Sequence, residues 1–186
     1  MGHTKGNSIV TRLEFVKKRY GDTGYQAVLA RLSDEDRRYL EGELILPQTW
    51  VALPRYCRLL EAIDRVHGRG DLSLVYEMGR HSAERNLTTI YRLFFRISSV
   101  RFVIERAPRL YSMHYDTGEL KVATQSENHV LLQLEHVDEP NCAHCASIQG
   151  WAAKAIELSG GKLRETTRGR CRRNGATGCE FSFRWD

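Results

Sequence analysis

The amino-acid sequence predicts an α+β domain: an N-terminal helical layer packed on an antiparallel sheet, with a helix and hairpin at the C-terminus pinned by a metal. Three observations carry this. As far as Pro108, apolar residues recur at helical spacing. Beyond it they alternate with polar residues, as half-buried strands require. One helical stretch capped by Asn141 then interrupts the strands. Helices first and strands later is the pattern of α+β folds.

In chain order, residues 1–8 read as a flexible polar tail and residues 9–186 as a single domain. Ile9, Leu13, Val16 and Tyr20 mark a first helix, capped by Asn7 or Ser8 and ended by Gly21. Asp22 or Thr23 opens a second, with Val28, Leu29 and Leu32 inward. Ser33 caps a third, Asp34–Leu40, whose acidic start suits the helix dipole. Gly42–Leu53, with Leu44, Ile45, Leu46 and Trp50, reads as a buried connecting loop. Pro54 opens a helix at a favoured position, with Tyr56, Leu59, Leu60, Ile63 and Val66 on one face. Asp71 caps one long helix or two reaching Ile97, with Gly79 a weak interior point. A last helix of this layer spans about Val100–Glu105 and ends at Pro108.

Strands follow at Tyr111–Tyr115, Glu119–Thr124 and His129–Val137, separated by turn residues at Asp116–Gly118 and Ser126–Asn128. Asn141 caps a helix whose Ile148, Trp151, Ala152, Ala155 and Ile156 form one apolar face, and Gly160 and Gly161 end it. Leu163–Cys171 and Cys179–Trp185 complete a hairpin about Asn174-Gly175.

Composition narrows the class. The 186 residues, 41% hydrophobic and 27% charged, are enough for one domain with a full core. There is no signal-peptide core and no apolar run of the roughly 20 residues a membrane helix needs, which predicts a cytoplasmic protein without membrane contact. A net charge of +5 permits acidic partners without demanding them.

Four of the five cysteines come in two pairs, Cys142/Cys145 and Cys171/Cys179. The first pair shares one face of a helix start, with Cβ atoms about 5–6 Å apart. The second pair sits opposite in a hairpin at about 4.5–5.5 Å. Two sulfurs from each predict a closed structural zinc site, with Arg168, Arg170, Arg172, Arg173 and Lys162 offsetting its charge. His144 and Glu180 are spare ligands. The alternatives are a cross-strand disulfide, a redox pair at the helix start, or plain buried thiols; Cys57, inside the Pro54 helix, reads as core or helix surface.

The segment C-A-S-I-Q-G-W from Cys145, then Cys171 and Cys179-Glu180-Phe181-Ser182-Phe183, resembles the 4-vinyl reductase-type small-molecule-binding domain. That superfamily is related to haem nitric-oxide-binding domains and to subunits of a vesicle-tethering trafficking complex. Tyr76-Glu77-Met78-Gly79-Arg80, Pro108-Arg109-Leu110-Tyr111 and Tyr115-Asp116-Thr117-Gly118 carry the likeness upstream. More loosely, the chain is similar to a paralogous family of myxobacterial proteins. The resemblance implies zinc held by three cysteines, matching Cys145, Cys171 and Cys179, and by a glutamate. Arg168 stands at the glutamate's position, so Cys142 is the expected substitute. No histidine lies in a proximal-ligand context, and Tyr111-Ser112-Met113-His114-Tyr115 lacks the arginine of the haem-propionate motif, so haem is not expected.

The function this predicts is a non-enzymatic sensory or regulatory domain binding a hydrophobic or aromatic small molecule. The candidate pocket is formed by Trp50, His81, Tyr91, Phe94, Phe95 and Trp151. The alternative is a scaffold module without ligand, a homodimer through Ile9–Tyr20 and Tyr25–Leu32 or a binder of another protein. A nucleic-acid or nucleotide role for the arginine cluster has no interleaved aromatic residues behind it. No nucleophile–base pair or phosphate loop points to an enzyme.

Overall fold

The computed structural model describes residues 1–90 and 99–186, for 86–90 the backbone alone. The chain folds as β1 (His3–Lys5), α1 (Gly6–Arg31), α2 (Asp34–Gly42), β2 (Trp50–Ala52), α3 (Leu53–His67), α4 (Ser73–Ile90), α5 (Val100–His114), β3 (Glu119–Gln125), β4 (His129–Glu135), α6 (Cys142–Leu158), β5 (Leu163–Arg168) and β6 (Gly178–Trp185). The predicted α+β class holds.

The main sheet is antiparallel throughout, in the order β3-β4-β6-β5. On β4 the buried residues Val130, Leu132 and Leu134 alternate with partly exposed neighbours. They pair with Phe183, Phe181 and Cys179 of β6, so one apolar sheet face is built from two strands. The helix α6 packs against this layer and is buried along most of its length, from Ala143 to Gly150 without a break. Asn141 caps it as expected, its side chain accepting from the N–H of Ala143 (2.7 Å) and of His144 (3.4 Å).

The helices α4 and α6 cross at two glycines. A Cβ on Gly79 would land on the Ser147 carbonyl oxygen, and one on Gly150 on the Tyr76 carbonyl oxygen. Gly79 is therefore a contact point rather than a weak one.

Four other expectations change. The N-terminal tail contains β1, which pairs antiparallel with β2, and Thr4 is fully buried. The two N-terminal helices are one element with a break at Gly21, where φ is 68°. The buried loop before α3 instead exposes Leu44, Leu46 and Trp50. Finally, α5 passes through Pro108 to His114, replacing the strand predicted at Tyr111–Tyr115. Its buried face, Val103, Ile104, Ala107 and Tyr111, continues across the proline, and that packing outweighs one missing N–H donor.

Candidate ligand cavity and cysteine cluster

A cavity of about 70 Å³ lies where α1, α5, α6 and the sheet meet. That is about half of the roughly 150 Å³ that holds a benzene molecule. Its apolar walls are Leu120 and Leu132 from the sheet, Ala107 and Leu110 from α5, and Ile148, Trp151 and Ala152 from α6. The polar groups include Asn7, Ser8, Thr11 and Arg12 of α1, Tyr56 of α3, Ser82 of α4, Ser147 of α6, and Tyr111, His114 and Tyr115 in and after α5.

Arg12, Ser82, Ser147 and Tyr56 form one connected set, and Tyr111 and Tyr115 stack as a separate pair. Arg12 is 4% exposed. Its guanidinium donates to Ser82 Oγ and, at 2.8 Å, to Ser147 Oγ. The Tyr56 hydroxyl lies 3.1 Å from Ser147 Oγ, and the Arg12 guanidinium sits 5.9 Å from the centre of the Tyr56 ring. Arg12 Nε has no hydrogen-bond partner among the described residues. The Tyr111 hydroxyl donates to the Thr117 carbonyl at 2.8 Å, and its ring stacks on Tyr115 at 4.7 Å. Burial raises the Tyr115 hydroxyl well above its ordinary pKa, so it stays protonated. His114 is pushed down by burial first and then by Lys5, which favours a neutral imidazole at the cavity wall.

Of the residues singled out in the sequence for the pocket, only Trp151 lines this cavity among those described. Trp50 is 43% exposed and lies beneath Lys5. His81 meets Phe15 edge to face, at 5.2 Å between ring centres. Tyr91, Phe94 and Phe95 fall outside the described residues. The sequence reading missed Arg12, although a signal was present. Arg12 falls three residues after Ile9 and four before Val16, on the apolar stripe of the first helix, where a charge is out of pattern.

The four cysteines are only partly assembled as expected. Cys179 Sγ and Cys171 Sγ lie 3.8 Å apart across the hairpin, and the Arg172 N–H donates to Cys179 Sγ at 3.5 Å. A hydrogen bond from Cys145 lowers the Cys179 pKa to about 6 and raises that of Cys145. Yet the described residues contain no group of three or more His, Cys, Asp or Glu side chains that could hold a metal ion. The structural zinc site on Cys142, Cys145, Cys171 and Cys179 is therefore corrected. Cys145, Cys179 and Cys171 meet as free, hydrogen-bonded thiols, and Cys142 takes no part in those bonds.

No protein-family model matches the chain, and no curated protein matches it. Solved structures do. The Fe(II) unliganded H-NOX protein from K. algicida superposes with a TM-score of 0.73 at 12% identity, over 98% of this chain and 96% of that one. The H-NOX protein from S. oneidensis in its Fe(II)NO ligation state gives 0.73 at 11% identity, over 98% and 99%. A structure probing the function of heme distortion in the H-NOX family gives 0.65 at 13% identity, over 98% and 95%. The chain therefore has the α+β fold of the H-NOX proteins. At these identities it is the fold that is shared.

This overturns the expectation against haem. That expectation rested on a missing motif and on the want of a well-placed histidine, whereas the fold is one represented by iron- and heme-containing proteins. The structure also puts a histidine, His114, on the cavity wall. His114 would offer a neutral nitrogen to iron, but the cavity as it stands does not accommodate the group. A porphyrin needs more room than the 70 Å³ that the described walls enclose, so its binding would require them to part.

Proposed function

We propose that the chain is a small-molecule-binding sensory domain whose ligand occupies the cavity between α1, α5, α6 and the sheet. One observation carries this reading: an interior space that is mainly apolar, yet has a buried polar cluster built around Arg12 on one side. A few placed polar groups in an apolar cavity are what fix and orient a small ligand. The H-NOX fold supports the sensory part of the proposal.

The test is a thermal-shift titration with phenol as a neutral aromatic probe. A probe at about 100 times its Kd should raise Tm by roughly 5–10 °C. Ala152→Leu adds bulk to the cavity wall and should abolish the shift while leaving the free protein folded. A shift that survives Ala152→Leu would place the probe elsewhere and sink the proposal.

The place of His114 favours a second reading, in which the ligand is haem and His114 holds its iron. The iron would then supply the gas-binding chemistry, as the Fe(II)NO state does for the S. oneidensis protein. This reading expects haemin, added under reducing conditions, to give a stoichiometric Soret band that His114→Ala removes. Haemin absorbance that never saturates at a fixed ratio would rule it out.

A further inference from the structure

We propose that the cavity binds a small organic acid and that the buried guanidinium of Arg12 holds its carboxylate. This rests on the reading of the cavity as the ligand site and names the chemistry of its occupant.

Arg12 is 4% exposed, and burying a cation is costly unless a charge or a full set of acceptors answers it. Here both hydrogen-bond partners among the described residues, Ser82 Oγ and Ser147 Oγ, are neutral hydroxyls. Among the described residues no carboxylate forms an ion pair with Arg12, and the stretch 86–98 contains no Asp or Glu. The positive charge is thus unanswered by the chain itself. Nor is the side chain reaching towards solvent. Two hydroxyls hold its Nη atoms, the Tyr56 ring lies beside it, and Tyr56 in turn contacts Ser147.

What remains is Nε, buried and without a partner, on a residue that lines the cavity. A guanidinium presents its N–H groups as a planar fork that matches a carboxylate at two points. Nε is sealed from water, and a water elsewhere on the guanidinium would not neutralise its charge. A single fork facing Leu120, Leu132, Ile148 and Trp151 suits a monoanion with an apolar body better than a phosphate, which carries more charge and no apolar surface. A benzene ring takes a cavity of roughly 150 Å³, about twice this one, so a body of that size is the upper limit and enters only as the walls give.

The experiment compares benzoate with benzamide, its neutral isostere, by calorimetry on the full chain. Benzoate should bind at least tenfold more tightly. Arg12→Met should erase that preference while leaving the weak benzamide affinity in place, and Arg12→Lys should retain only part of it. A crystal structure of the wild-type benzoate complex, with the carboxylate within hydrogen-bond distance of Arg12 Nε, supports the proposal even if Arg12→Met does not fold. Equal affinities for the two probes, or a benzoate preference that persists in folded Arg12→Met, overturn the acid proposal while leaving the cavity reading intact. Binding of neither probe overturns both.

Discussion

His144 sits in the first turn of α6, 1% exposed, with Nε2 unpartnered among the described residues and its ring 4.7 Å from that of Tyr115. Burial lowers its pKa from 6.5 to about 3. As pH falls past 6.5 the unfolded chain takes up this proton and the folded one does not, so stability is full above 6.5 and declines towards 3. The slope should be on the order of 1 kcal/mol per pH unit. Urea midpoints measured across that range should fall accordingly, and His144→Phe, which keeps the aromatic contact without the titration, should flatten the profile. Arg12 illustrates how far a single residue can be read from sequence. Its helical register marks it as buried, but nothing in the local pattern says that no acid meets it. That depends on α4 and α6, which bring neutral Ser82 and Ser147 from 70 and 135 positions away.

At the level of elements, the crossing of α4 and α6 depends on two missing side chains. Gly150→Val would drive a branched side chain against the Tyr76 carbonyl and push the helices apart. We expect a loss of about 3 kcal/mol, or roughly 6–12 °C in Tm, by calorimetry. The join between α2 and α3 depends on one carboxylate instead. Asp36, 1% exposed, accepts from Arg55 Nε at 2.8 Å and from Arg58 Nε at 2.6 Å, and hydrogen bonding from Arg58 lowers its pKa. Asp36→Asn removes the charge that both arginines meet and should cost about 2–4 kcal/mol in chemical denaturation. Elements with their own start signals were legible in sequence: α2 from Ser33, α3 from Pro54 and α6 from Asn141. Those settled by remote packing were not. Pro108 reads locally as a helix stop, but the buried face that continues to Tyr111 carries the helix past it. Spacing places the hairpin cysteines near each other, as the 3.8 Å between their sulfurs bears out, but it does not by itself assemble a full set of ligands.

Across the whole molecule, the shift in apolar period near Pro108 was enough to give the α+β class, and β4, α6 and β6 fell close to their expected bounds. The cavity was harder to foresee, because it is lined from several helices and two strands whose lining residues are far apart in sequence. Aromatic content pointed to Trp50, which packs outside it, while its polar side comes from Arg12, Ser82 and Ser147. The first residues have a consequence for how this cavity comes into being. His3 bonds Asp116 across 113 positions, through its N–H at 2.6 Å and its ring at 2.8 Å, and Thr4 bridges Tyr115. On a ribosome adding about 5–20 residues per second, β1 must wait roughly 6–20 s for that partner to be made. Asn7 and Ser8, which follow β1 directly, line the cavity. Its wall is thus completed only late in synthesis, once α5 and α6 have both been made.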